Sequence, residues 1–206
     1  MAALSGIRAC VFDAYGTLFD YASAAASCRD VLGGNLEPLN ALWREKQLQY
    51  TWLRTLQNRH ADFWQVTGEA LDFALETLGI ANRGLRERLR AAGLKTAILS
   101  NGSPRTLDAA VTHAKIAGLL DVVLSVESVG VYKTHPLVYQ LAVDRLGIEA
   151  EAIAFQSSNA WDAYAASAFG MRAIWCNRYA QRPERLPGRP DREITSLAEL
   201  PELVGA

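Results

Sequence analysis

Val11-Phe12-Asp13-Ala14-Tyr15-Gly16-Thr17-Leu18 is the stretch on which the fold turns. The hydrophobic run from Ile7 to Phe12 is of the kind that fills a buried strand, and it stops on an acid. Gly16 then permits a tight turn. Asp13 is therefore placed where the strand emerges. Taken alone it is open to two readings, a turn former or a chemical group. The second arises because the carboxyl ends of strands in open α/β sheets are where ligands bind. What the other strand ends carry separates the two.

The length, 206 residues, suits one domain or one domain with a small insert. Half of the residues are apolar and the net charge is −1, the balance of an ordinary globular chain. No long basic run or basic-aromatic stripe points to nucleic acid. The apolar runs fall far short of the ~20 residues of a membrane span. The opening Met-Ala-Ala-Leu-Ser-Gly-Ile-Arg lacks the charged start and apolar block of a signal peptide. Cys10, Cys28 and Cys176 are odd in number and widely spaced, which argues against a disulfide framework and for a reducing, cytoplasmic location. Cys10, inside the first strand, reads as a packing residue.

After Thr17 the strand pattern vanishes for some seventy residues. Residues 21–32 read as a helix ended by Gly33-Gly34, residues 36–57 as a long helix, and residues 61–78 as a third, stopped by Gly79. From about Leu85 strands and helices alternate: a helix at 85–92, a strand at 96–100, and a helix opening at Pro104 with Ser103 as N-cap. A strand follows at 121–124, a helix from near Pro136, a strand at 153–155, a helix at 161–169 ended by Gly170, and a strand at 172–175. Residues 177–192 read as an exposed loop, and Thr195-Ser196 caps a final short helix. This rhythm predicts an α/β fold: a Rossmann-like parallel sheet with helices on both faces, formed by residues 1–18 and 85–206, with a helical cap lobe, residues 19–84, inserted after the first strand.

Each strand end is followed by polar residues. Asp13, Tyr15 and Thr17 follow the first, and Ser100-Asn101-Gly102-Ser103 the second. Lys133 comes after the third, and Ser157-Ser158-Asn159-Ala160-Trp161-Asp162 after the fourth. Singly, each is an ordinary turn, cap or surface charge. An acid, a hydroxyl-amide pair, a lysine and a second acid at successive strand ends form an ordered set. That set resembles the haloacid dehalogenase superfamily, and within it the (S)-2-haloacid dehalogenases, also called L-2-haloacid dehalogenases. Further stretches that carry the resemblance are Leu42-Trp43-Arg44-Glu45-Lys46-Gln47 and Val131-Tyr132-Lys133 with Val138-Tyr139. A phosphatase of the superfamily carries Asp-x-Asp in the first motif and a late acidic pair for magnesium. Here Tyr15 stands at the second acid, and Ser157, Ser158 and Asn159 at the late pair. Hard magnesium takes several oxygen ligands, carboxylates among them, so a metal-free and cofactor-free reaction at carbon is expected.

The resemblance implies a mechanism. Asp13 is the nucleophile at C2 of a 2-haloalkanoate, and an aspartyl ester is then hydrolysed to the (R)-2-hydroxy acid. Lys133 is the cation that pairs with and orients Asp13, with Thr17 and Ser157 placing it through hydroxyl hydrogen bonds. Arg44, on the inserted lobe, captures the departing halide, a task that suits a permanent, weakly hydrated cation. Asp162 serves as the base for hydrolysis with Asn159 positioning the water; its plain alternative is an acid favoured by a helix dipole. Tyr139 supports the site. Leu48, Phe63 and Trp161 form an apolar wall, with core packing the alternative, evenly so for Phe63. Ser100, Asn101 and backbone amides near Ala14-Tyr15 hold the substrate carboxylate. His60, His113 and His135 are bystanders without metal-ligand spacing. Relatives are commonly homodimers.

The chain also departs from that pattern. Leu78-Gly79-Ile80 passes through Ala81-Asn82-Arg83-Gly84 almost directly into a sheet helix, so the cap looks short by about twenty residues against a four-helix lobe. Thr134-His135 follows the lysine where a proline is usual, and Gln156 replaces an apolar strand residue. Two other readings therefore stand beside the first: a magnesium-dependent small-molecule phosphatase, and a catalytically impaired family member whose cap no longer closes over Asp13.

Overall fold

The computed structural model describes residues 3–14, 16–18, 29–79, 99–113 and 120–204. Strand β1 (Ala9–Phe12) precedes helix α1 (Arg29–Leu32), a 3-10 turn at Gly33–Asn35, and the long helices α2 (Leu36–Leu56) and α3 (Phe63–Thr77). Next come β2 (Leu99–Ser100), α4 (Pro104–His113), β3 (Leu124–Ser125) and α5 (Pro136–Leu146). The chain continues through β4 (Ile153–Ser157), α6 (Ala160–Phe169), β5 (Arg172–Cys176), β6 (Arg192–Ile194) and α7 (Leu200–Val204). Strands β1, β4, β5 and β6 form a parallel sheet in the order β1-β4-β5-β6, and β2 pairs with β3, also in parallel. Among the described residues no helix is long and apolar enough to cross a membrane.

Local signals account for the ends of these elements. Asp62 caps α3 by accepting from Gln65 N at 2.9 Å. Ser103 Oγ accepts from Thr106 N at the start of α4, as expected. His135 caps α5, Pro136 occupies its first turn, and Gly147 ends it in the left-handed conformation. Ser196 and Glu199 form a capping box ahead of α7. Three expectations need correction. The strand at 121–124 is found at Leu124–Ser125, where Ser125 Oγ turns to cap the next turn and to bond Gly102 O. Strand β6 was not expected; it is only three residues long, and Asn177 N reaches Ile194 O across it. The segment 177–192 is an exposed loop from 178 to 189, as expected, and runs into β6 at Arg192. Within it Gly188, at φ +82°, lies so close to α6 that a Cβ there would collide with the Tyr164 carbonyl oxygen. Cys10 is exposed rather than packed, because strand alternation sends Val11 into the core instead.

The side chains alternate across the sheet into two cores. Val11, Phe155 and Ala173 face α5 and its Val138, Tyr139 and Ala142. Ala154, Ile174 and Cys176 face the opposite way, toward Leu200 and Leu203 of α7. Helices therefore cover both faces, and β4, buried at every residue, is the central strand. Helices α2 and α3 pack on each other around Leu39, Trp43, Ala70, Leu71 and Ala74, a cluster of their own. Tyr15, Cys28, the early part of the helix expected at 21–32, the helix expected at 85–92, strand residues 96–98 and both expected cap boundaries lie outside the described residues.

Gln156 sits on the β4 face shared with Ala154, between Phe12 and Ile174. Both of its amide atoms are buried without a hydrogen-bond partner. Its backbone carbonyl accepts from Asp13 N at 2.8 Å and does not depend on the side chain. An unpartnered buried amide costs about 1–3 kcal/mol. Gln156→Leu is expected to raise stability by that order, read as a higher thermal unfolding midpoint.

Candidate active site

Asp13 leaves β1 at the same sheet edge as Ser157 leaves β4, because Phe12 pairs with Gln156 in parallel register. The carboxylate is buried and fully engaged. Its Oδ1 accepts from Lys133 Nζ at 2.8 Å. Its Oδ2 accepts from Asn159 Nδ2 at 2.8 Å, Thr17 Oγ1 at 3.0 Å and Ser157 Oγ at 3.2 Å. Thr17 is itself fixed, since its hydroxyl oxygen accepts from Ser158 N at 2.7 Å. Gly16, at φ +87°, makes the turn that brings Thr17 back over Asp13.

Lys133 is completely buried and lies between two acids. Its ammonium also donates to Asp162 Oδ2 at 2.6 Å, and Asn101 Oδ1 accepts from its backbone N–H at 3.1 Å. Burial by itself would lower the lysine pKa, but the facing Asp13 and Asp162 carboxylates outweigh it and hold the pKa above its usual value. Burial pushes Asp162 the other way, up to about 6, with the Lys133 charge restraining the rise. Tyr139 Oη donates to Asp162 Oδ1 at 2.8 Å. Its own pKa is raised, first by burial and then by that carboxylate, so the hydroxyl remains a donor.

Arg44 reaches this cluster from α2. Its Nη2 donates to Asn159 Oδ1 at 3.4 Å, and Asn159 bonds Asp13 through its other amide atom. One amide group therefore links the arginine of the helical pair to the acid of β1. Helix α2 touches the sheet edge at two further points. Trp52 meets Trp161 edge to face at 5.8 Å, and Thr55 Oγ1 accepts from Tyr132 N at 3.1 Å. Tyr132 Oη in turn donates to Ala61 O.

A family model for haloacid dehalogenase-like hydrolases matches residues 7–170. (S)-2-Haloacid dehalogenase 1 of Pseudomonas sp. (strain CBS-3) is 43% identical over 220 aligned positions, covering 96% of each chain. (S)-2-Haloacid dehalogenase 4A of Burkholderia cepacia is 41% identical over 96% of this chain and 94% of that protein. A solved L-2-haloacid dehalogenase from Xanthobacter autotrophicus, with chloropropionic acid covalently bound, superposes with a TM-score of 0.87 at 36% identity, covering 97% of this chain and 99% of that one. The chain belongs to the (S)-2-haloacid dehalogenases. Within that family it is short. Because 96% of 206 residues is about 198, about 22 of the 220 positions aligned with the CBS-3 dehalogenase hold no residue of this chain.

Most residues singled out in the sequence of this dehalogenase meet in one place: Asp13, Thr17, Arg44, Lys133, Tyr139, Ser157, Asn159 and Asp162 are joined by the bonds above. Ser100 is buried with its Oγ accepting from Gly102 N, and the next residue, Asn101, bonds the Lys133 backbone. Ala14 is buried, and its carbonyl closes the turn onto Leu18 N. Leu48 is half-buried one turn after Arg44. Phe63 packs on Tyr132 in the larger core, one of the two roles left open for it. Trp161 lines an apolar cavity of about 400 Å³ with Trp52, Thr134, Tyr139 and Phe169, without Asp13, Arg44 or Lys133 among its walls. His60 stacks on Tyr132 and His135 caps α5, so neither enters the cluster.

Sequence reasoning missed Arg178. Its guanidinium donates to Gly16 O at 2.6 Å, Thr17 O at 2.7 Å and Ser158 Oγ at 3.3 Å, tying the turn after β1 to the turn after β4. The available signal was its place just beyond β5, a further strand end. Arg178→Ala is expected to lower turnover about tenfold by loosening the Thr17 turn, with Arg178→Lys intermediate. Steady-state halide release beside a thermal melt checks this.

Proposed function

We propose that this protein hydrolyses short (S)-2-haloalkanoic acids to (R)-2-hydroxyalkanoic acids, with inversion at C2 and without a metal. The observation that carries the reading is the Asp13 carboxylate, held by four donors, with Arg44 one amide group away. An Asp13 oxygen attacks C2 and the carbon–halogen bond breaks with its electron pair leaving on the halide. Arg44 stabilises that developing anion, where a positioned permanent cation acts most strongly. The ester then formed on Asp13 is attacked at its acyl carbon by water. Asp162 takes the proton of that water and Asn159 helps to place it, which returns the Asp13 carboxylate and releases the hydroxy acid. Lys133 offsets the changing charge on both acids. Ser100, Asn101 and the backbone amides near Ala14 and Tyr15 hold the substrate carboxylate, and Leu48 walls the C2 substituent.

The relatives named above support the substrate class. The late motif supports carbon rather than phosphorus, since Ser157, Ser158 and Asn159 stand where a phosphatase of the superfamily places its acids. Exposed Leu53, Leu56, Trp64 and Phe73 on α2 and α3 support a homodimer, and free Cys10 and Cys176 fit a cytoplasmic setting.

Halide release from (S)-2-chloropropionate in the absence of added metal is expected of the wild-type protein and is abolished in Asp13→Asn. Asp162→Asn is expected to form the ester without hydrolysing it, seen as a mass increase on the intact chain. Release that requires magnesium, or survives Asp13→Asn, overturns the reading.

Asp162 acts as a base only when ionised, and its pKa lies at about 6. Turnover is therefore expected to fall as pH drops through 6, with an acidic limb of unit slope. A pH profile of kcat checks it.

A further inference from the structure

Buried amides draw attention when they sit on an apolar helix face, and Gln47 is one. It is 3% exposed, on the stripe of α2 that also carries Leu39, Trp43 and Thr51 and packs against α3. A polar group there is tolerated only when its hydrogen bonds are made. Gln47 makes one at each end. Its Oε1 accepts from Arg44 Nη1 at 2.7 Å, and its Nε2 donates to Thr67 Oγ1 of α3 at 2.7 Å. A guanidinium has only donors, so the amide oxygen must face Arg44 and the amide nitrogen must face Thr67. Thr67 is pinned in turn, because its carbonyl accepts from Trp43 Nε1 at 2.9 Å.

We infer that Gln47, braced by Thr67, is a positioning residue that sets Arg44 for the departing halide. The inference rests on the dehalogenase reading and adds a residue to it. Arginine has a long side chain with much rotamer freedom to lose. A cation aimed beforehand stabilises developing charge without rearranging during the reaction. Gln47 holds one side of the guanidinium while the other reaches Asn159 at the reacting acid. It does so through a neutral oxygen. A carboxylate in the same place would also hold the arginine, but would weaken its pull on a halide.

The consequence is selective. Chloride leaves carbon less readily than bromide and depends more on stabilisation of the leaving anion. Misplacing Arg44 therefore penalises the chloro substrate more. Three variants test this, each assayed on (S)-2-chloropropionate and (S)-2-bromopropionate with a thermal melt alongside. Gln47→Met keeps the volume and removes both bonds. Gln47→Glu keeps the shape and adds the charge. Thr67→Val removes the brace without touching Arg44. For Gln47→Met and Gln47→Glu, kcat/KM on the chloro acid is expected to fall roughly ten- to hundredfold, and several-fold less on the bromo acid. Thr67→Val is expected to show the same chloro-over-bromo discrimination at smaller size. Should Gln47→Met not fold, Thr67→Val and Gln47→Glu decide.

Equal losses on the two substrates, or kcat/KM within about twofold of wild type on both, overturn the assignment. A wild-type protein that releases neither halide overturns the dehalogenase reading itself, which separates the two failures.

Discussion

A fully buried ammonium between two carboxylates is the constraint on which the rest of the structure depends. Lys133 is 1% exposed and bonds Asp13 at 2.8 Å and Asp162 at 2.6 Å. Removing one partner of such a group leaves an uncompensated charge in a dry place, which costs on the order of 3–5 kcal/mol. The end of β1, the loop before α5 and the first turn of α6 must therefore meet at one point. The remaining lone pairs are filled by Tyr139, Thr17, Ser157 and Asn159, and the lysine backbone is held by Asn101. The same burial that makes the cluster expensive pushes the Asp162 pKa up, and the Lys133 charge restrains the rise.

Strand direction makes that meeting feasible. In a parallel sheet every strand ends at the same edge, and β1 and β4 are neighbours in register. The polar residues that follow each strand thus converge although they are far apart along the chain. The helical pair α2–α3 contributes from above. Helix α2 contacts the sheet edge through Arg44, Trp52 and Thr55, three points spread over three turns of one stiff helix. A rod held at three points carries its arginine to a defined place even in a chain shorter than its relatives.

Much of this was legible in the residues. The run ending in Asp13, the Gly16 turn, the long helix at 36–57 and the polar sets after each strand are local patterns, and the structure joins the residues they single out. Strand β6 was hidden because Arg192-Glu193-Ile194 is too short to show alternation and exists by pairing with β5. The packed Gly188 was hidden because only its distance from Tyr164 reveals that a side chain cannot fit. Gln156 was noted in the sequence as unusual, yet whether its amide finds a partner is a question of surroundings.

The sequence by itself determined the chemical inventory and its order: an acid, a hydroxyl-amide pair, a lysine and a late Ser-Ser-Asn-Ala-Trp-Asp run, interleaved with elements whose periodicities are set locally. Tertiary structure alone decided the partners. It assigned Gln47 to Arg44 and Thr67, Arg178 to the Gly16–Thr17 turn, and both acids to a single lysine. The physical reason is that helix and strand periods report which face of an element is apolar, whereas a hydrogen bond between residues 146 or 162 positions apart depends on where separate elements come to rest. At Asp13 the two meet: its place at a strand end is written in the chain, and its state is set by the side chains that the fold brings to it.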